Sequence, residues 1–230
     1  MYIKFISSVI QYTFGFPNSG SILIPLVDVT VPTLFSYYQE QALKSSLEKN
    51  YSVLKQALDR YQAENSERLL PDNIARRELK SILMKYINVM TDCGFGYDQN
   101  VQDSCIPNYG DDNPNTSTTY KTYNGNKIYM YNFDDGQFVL TDGSLILLED
   151  NDQFTQEGYK KVFISVDVNG YGRKPNRLGK DLFVFRLDNR GELLPMGVTG
   201  TYYHSTDDSY CSNTSTHGMN GSACTYKKLR

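Results

Sequence analysis

The chain has no tryptophan, only two histidines and four cysteines in 230 residues, and no block of charge of either sign. Each shortage closes off a class of function. His204 and His217 both lie in a tail rich in Ser, Thr and Asn, and neither stands near a G-x-S-x-G elbow or a cysteine in a helix-start context. No nucleophile, base and oxyanion donor can be grouped from such a set, so no catalysis is expected. Lys and Arg number 23 against 26 Asp and Glu, giving a net charge of −3 with no basic cluster. Neutralising phosphates takes a concentrated basic face, so nucleic acid is not expected as a partner. Long apolar runs are missing too. Met1–Phe16 is broken by Pro17, Asn18, Ser19 and Gly20, and Ile22–Val31 contains Pro25 and Asp28. Neither reaches the roughly eighteen uninterrupted apolar residues of a membrane-spanning helix.

What is present is tyrosine, phenylalanine and a distinct division of periodicity. The 19 Tyr and 11 Phe suit a β-rich core with hydroxyls at its edges. A length of 230 residues suits one domain with a protruding element. From Pro32 the residues Leu43, Leu47, Tyr51, Leu54, Leu58 and Tyr61 recur at steps of four, four, three, four and three, one stripe on a helix of about eight turns. Pro32 fits a first helical turn with Thr30 near the cap, and Glu40 to Lys44 is a favourable charge pair at four-residue spacing. A second helix is expected from Asp72 or Asn73 to about Met90, followed by the stop signals Cys93 and Gly94.

After a polar loop over 109–119 the period changes to two. Thr119–Tyr123 and Lys127–Tyr131 flank Asn124-Gly125, and Gln137–Thr141 and Leu145–Leu148 flank Asp142-Gly143, both strong hairpin signals. Lys161–Val166, Asp181–Leu187 and Glu192–Pro195 add further strands. The expected fold is α+β, a long amino-terminal amphipathic helix packed on an antiparallel sheet. Its divisions are an apolar segment 1–31, a helical stem and second helix 32–92, and a cysteine-containing sheet head 93–230.

Four cysteines permit three pairings, of which the local ones, Cys93 with Cys105 and Cys211 with Cys224, need the least chain rearrangement. Disulfides imply an oxidising compartment, hence export. The alternation of His204, Cys211, His217 and Cys224 also admits zinc, but it lacks the close C-x-x-C knuckle of structural sites. Asp134, Asp135, Glu149, Asp150 and Asp152 fall at turns, where carboxylates cap the chain locally. In the loop that follows, Asp167, Asn169, Asn176 and Asp181 carry the carboxylate and amide oxygens that calcium selects, with Gly170 and Gly172 allowing tight bends. The same residues equally make an Asx-type turn that needs no ion, and the EF-hand glutamate is missing.

Two stretches, in order, carry a family resemblance. VPTLFSYYQEQALKSSLEKNYSVLKQAL resembles the continuation of the type IV pilin helix after its membrane-embedded start. DVNGYGRKPNRLGKDLFVFRL, followed by a Gly turn, LLPMG and a closing cysteine pair, resembles the carboxy-terminal half of pilin-like and type II secretion pseudopilin-like proteins. The resemblance covers about three quarters of the chain, leaving out the first thirty residues. It implies a subunit of an extracellular or periplasm-spanning pilus or pseudopilus. Pro32, Leu43, Leu47, Tyr51, Leu54 and Leu58 would lie on its assembly helix. It also implies a calcium in the loop of the sheet, other pilin-like subunits and an inner-membrane assembly machinery as partners, and anchoring in that membrane before export to the surface. The first thirty residues depart from the pattern: Gly15 and Phe16 are followed by Pro17, Gly20 stands where a glutamate belongs, and Pro32 arrives early. That departure leaves an alternative, a secreted binding or adhesion domain that keeps the head and does not assemble.

Overall fold

The computed structural model describes residues 31–95, 105–106, 120–150, 155–156, 159–204 and 209–230. The apolar segment before residue 31, the Thr30 cap and the loop 109–119 lie outside the described residues, as do the side chain of Pro32 and Asp152. Helix α1 (Val31–Asn65) is 35 residues long, about 50 Å at about 1.5 Å per residue. The stripe expected on it divides in two. Leu47, Leu54, Ala57 and Leu58 are buried, with Leu43, Tyr51 and Tyr61 packed partly against them. Every side chain from Leu34 to Ala42 is exposed.

The partner of the buried half is a six-stranded antiparallel sheet. Its members are β1 (Val89–Asp92), β2 (Gly136–Leu140), β3 (Leu145–Glu149), β6 (Phe163–Asp167), β7 (Leu182–Leu187) and β8 (Leu193–Pro195), in the order β1-β2-β3-β6-β7-β8. A small hairpin, β4 (Thr155–Gln156) with β5 (Tyr159–Lys160), stands apart from it. Side chains alternate between faces along each strand. Phe138, Ile146, Leu148, Ile164, Val166, Phe183 and Phe185 therefore point to α1, where Tyr51 stacks on Phe185 with centroids 5.1 Å apart. Three polar bonds fix the helix along its axis: Ser46 Oγ donates to the Val168 carbonyl, Asn50 Nδ2 to Ser144 Oγ, and the Tyr51 hydroxyl to the Leu193 carbonyl.

The opposite face is buried as well. Leu145, Leu147, Phe163, Leu182 and Val184 meet a second core of Tyr120, Ile128, Met130, Phe133, Leu178, Met196, Tyr203 and Met219, all from segments outside the sheet and the α-helices. Two covered faces explain why β3 and β7 read as continuous apolar runs rather than alternating ones. The Cys93–Cys105 and Cys211–Cys224 disulfides are both present, joining residues 12 and 13 apart. The short α3 (Cys224–Leu229) starts at the second of them. Packing there is close enough to require glycine: at Gly221, φ is +118° and a Cβ would stand 2.2 Å from the Leu178 carbonyl oxygen.

Two expectations are corrected. The second helix is only α2 (Leu79–Met84), preceded by a 3-10 turn at Pro71–Asn73. Ile74, Leu79, Ile82 and Leu83 do enter the core, but Val89–Asp92 leaves as an edge strand paired to β2, and Met90 is exposed. The pairing free on that edge of β2 outweighs the helical period of the last turn. The hairpin around Asn124-Gly125 reduces to a single bridge, Lys121 to Lys127, and Met130–Asn132 is a 3-10 turn. The turn itself closes, with Gly125 N–H on the Thr122 carbonyl and Thr122 N–H on the Asn126 carbonyl, but the flanking backbone finds distant partners. Lys121 N–H donates to the Asn176 carbonyl, Tyr123 N–H to Asn220 and Tyr129 N–H to Gly218, so the segment serves as the lid of the second core.

Candidate functional site

The loop between β6 and β7 brings Asp167, Asn169, Asn176 and Asp181 into one hydrogen-bonded unit. Asp167 Oδ1 accepts the N–H groups of Asn169 and Gly170 at 3.2 and 3.0 Å, an Asx turn, and its Oδ2 accepts the Tyr120 hydroxyl at 2.5 Å. Asp181 receives the N–H groups of Asn176 and Arg177 at 2.7 and 2.6 Å. Asn169 Nδ2 donates to the Lys174 carbonyl and Asn176 Nδ2 to the Tyr171 carbonyl, so the loop is laced across its width. Burial, with the Asp181 charge adding to it, pushes the Asp167 carboxyl up to about 7 against the pull of its donors. Asp181 is raised as well, chiefly by burial.

The side-chain oxygens of Asn169 and Asn176 are buried and accept nothing among the described residues. Leaving such acceptors unmatched costs about 1–3 kcal/mol each. With the two carboxylates they make a set of hard oxygen donors of the kind calcium takes, though each carboxylate already holds two or three protein donors. Arg173 and Lys174 are exposed, so their charge is directed to solvent.

A second polar group lies at the other end of the sheet. Asp150 accepts the N–H groups of Arg77 and Leu79 at 2.9 and 3.0 Å and caps α2, and Asp135 accepts Arg77 Nε at 3.0 Å and the Asp150 N–H at 3.2 Å. Local capping at turns was expected of these two carboxylates, but the donors they hold come from 15 to 73 residues away, so they tie distant segments together instead. Glu149 is different. It is 1% exposed, sits on the second-core face of β3, and neither of its oxygens accepts a hydrogen bond from a described donor. Carboxylate oxygens of Asp134, Asp135 and Glu149 lie within 4.8 Å of one another. Burial, then the Asp135 charge, pushes the Glu149 carboxyl up to about 9, with Lys161 opposing.

Lys161 is buried just before β6, and burial lowers it from the usual lysine value. Its Nζ donates to Asn132 Oδ1 at 2.9 Å, and the rings of Phe163, Tyr202 and Tyr131 lie 5.1, 5.3 and 6.0 Å from it. In number the three carboxylates match a cation site, but Lys161 and Arg77 already supply positive charge beside them. Sequence reasoning named the carboxylates only as turn residues and missed Lys161 and Asn132, because strand pairing is what brings them together. The available signals were a lysine entering an apolar strand and a glutamate ending one.

The third feature is the start of α1. Phe35 and Tyr38 are 64% and 63% exposed, and Leu34 and Tyr37 are exposed beside them. Glu40 is held by Lys228 of α3, which lowers its carboxyl, and this contact marks where the helix meets the head. Four large apolar side chains over five residues, with no cover from the chain's described residues, form a patch of the sort that marks contact surfaces. Of the expected assembly-helix residues, Leu43, Leu47, Tyr51, Leu54 and Leu58 lie in the half that packs on the head. No described helix is long and apolar enough to cross a membrane. No family model, no curated protein and no solved structure matches the chain.

Proposed function

We propose that this protein is an exported, non-catalytic subunit of a pilus-like or pseudopilus-like filament. One observation carries the reading: a 35-residue helix whose second half is sunk into the head while every side chain from Leu34 to Ala42 is exposed. A helical segment whose large apolar side chains are left uncovered by the described residues is read as a stem, and equivalent stems from other copies or related subunits are its natural cover. The two disulfides suit the oxidising environment such a head would meet. In this reading the inner-membrane assembly machinery acts on the segment before residue 31, and the loops of the head face outward. Calcium belongs to the proposal too, held by Asp167, Asn169, Asn176 and Asp181. There it would supply a structural charge that fixes the loop, and the unpartnered amide oxygens support it.

Immunogold electron microscopy of cells producing the protein tests the filament. Labelled filaments are expected at the cell surface or in the envelope. Recovery of the protein only as soluble monomer in the culture fluid, with no labelled filament, would overturn the reading in favour of a free secreted domain.

A further inference from the structure

The buried neighbours Lys161, Asn132 and Glu149 combine a nucleophile, an acceptor carbon and a proton carrier. We propose that Lys161 Nζ condenses with the side-chain carboxamide of Asn132 to form an intramolecular isopeptide bond, with Glu149 moving the proton and ammonia as the leaving group. The proposal does not depend on the filament reading.

The amine and the carboxamide are in hydrogen-bond contact. Lys161 Nζ lies 2.9 Å from Asn132 Oδ1, so the carboxamide carbon is the next atom along, and both side chains are buried. The carboxamide is held at its other positions. Its Nδ2 donates to the Tyr129 carbonyl and to Met219 Sδ, each at 3.4 Å, and its Oδ1 also accepts the Tyr203 hydroxyl at 3.3 Å. A fixed donor on that oxygen polarises the carbonyl and stabilises the oxyanion that attack creates. Holding amine and carbonyl in contact within a dry core replaces the concentration that an amine and an unactivated amide lack in water.

Protonation states are set by the surroundings. The rings of Phe163, Tyr202 and Tyr131 favour an ammonium modestly, and the carboxylates Glu149, Asp134 and Asp135 favour it too, but burial acts against it. Lys161 is displaced toward the free amine that a nucleophile must be. Glu149 pairs with Phe163 across β3 and β6, Lys161 lies two residues before Phe163, and the Glu149 charge acts on Lys161. The nearest carboxylate company of Glu149 is Asp134 and Asp135. Burial and the Asp135 charge favour the protonated acid, so Glu149 has a proton to give.

The step balances without any co-reactant. The amine attacks the Asn132 carbonyl carbon, and the carbonyl electron pair moves to the oxygen held by Tyr203. Glu149, whose charge acts on Lys161 but whose oxygens hold no hydrogen bond among the described residues, closes on the pair, gives its proton to Nδ2 and takes one from the attacking nitrogen. The bond from carbon to Nδ2 breaks, ammonia departs, and the carbonyl reforms as a secondary amide. One bond is made and one lost, with nothing oxidised or reduced. The product would clip the 3-10 turn before β2 to the start of β6, across the end of the sheet.

Mass spectrometry of the full chain after disulfide reduction tests this. The chain is expected to be one ammonia lighter than its sequence dictates, and proteolysis should yield a branched peptide joining Asn132 to Lys161. A chain at its full sequence mass overturns the proposal, and so does the loss of one water, which would make a carboxylate the acceptor. Lys161→Met and Glu149→Gln, each confirmed as folded by circular dichroism, should both keep their full mass. A Glu149→Gln chain that loses ammonia as completely as the wild type would overturn the proton-carrying role.

Discussion

Replacing Asp167 by Asn converts a titrating buried group into a neutral one of nearly the same shape. In the folded chain burial holds the Asp167 carboxyl near 7, against an ordinary value of 3.8. Between those limits the folded protein keeps a proton that the unfolded chain releases. Asp167 therefore contributes stability that is complete below pH 3.8 and is lost as the pH rises through about 7. About three pH units at about 1.4 kcal/mol each give a spread of at most about 4 kcal/mol. The Asn variant lacks that dependence, so its stability relative to wild type should climb by up to about 4 kcal/mol between pH 4 and pH 7.5. Asp150 and Glu149 are raised by burial too, but they are common to both chains and cancel in the difference. Asp181 faces Asp167 and loses that repulsion in the variant, which keeps about 4 kcal/mol an upper bound. Urea unfolding of both proteins across that range, in chelator, measures it. Parallel curves would refute the burial argument. Millimolar calcium adds a second arm, since a cation needs the ionised carboxylate: it should raise the wild-type midpoint at pH 7.5 and leave Asp167→Asn unmoved. No shift in the wild type would retire the calcium proposal.

The two halves of α1 should separate under mutation. Leu54→Ala removes a fully packed side chain and is expected to cost about 2–5 kcal/mol in chemical denaturation, whereas Phe35→Ala, at an exposed position, should stay within about 0.5 kcal/mol of wild type. Replacing both Cys211 and Cys224 by Ser opens a closure of 13 residues and should cost about 2–5 kcal/mol, read as a lower thermal midpoint that reducing agent no longer affects at that site.

Local signals carried far in this sequence and distant ones did not. The helical stripe from Leu43 to Tyr61 and the Asp142-Gly143 turn need no knowledge of the rest of the chain, and β2, β3, β6, β7 and β8 fall within a residue or two of where periodicity puts them. The local cysteine pairs also formed as the shortest closures would have it. The Asn124-Gly125 segment failed because its backbone partners, Asn176, Gly218 and Asn220, come from elsewhere, and no turn propensity reports that. The second helix was overextended for a related reason, since the pull on Val89–Asp92 comes from β2, more than forty residues on. In the site the loop residues from Asp167 to Asp181 were legible as one sequence run. Lys161, Asn132 and Glu149 were not, because only the β3–β6 register and the folding back of the 130–132 turn bring them together.

The stem reading rests on contact between copies at the exposed start of α1, and a cysteine placed there measures it. All four native cysteines are paired, so a cysteine at position 35 is the single free thiol. In cells producing the Phe35→Cys chain, mild oxidation should give dimers linked through that residue, while the same substitution at the exposed head position Arg173 stays monomeric. Monomer from both positions in intact cells would contradict the account.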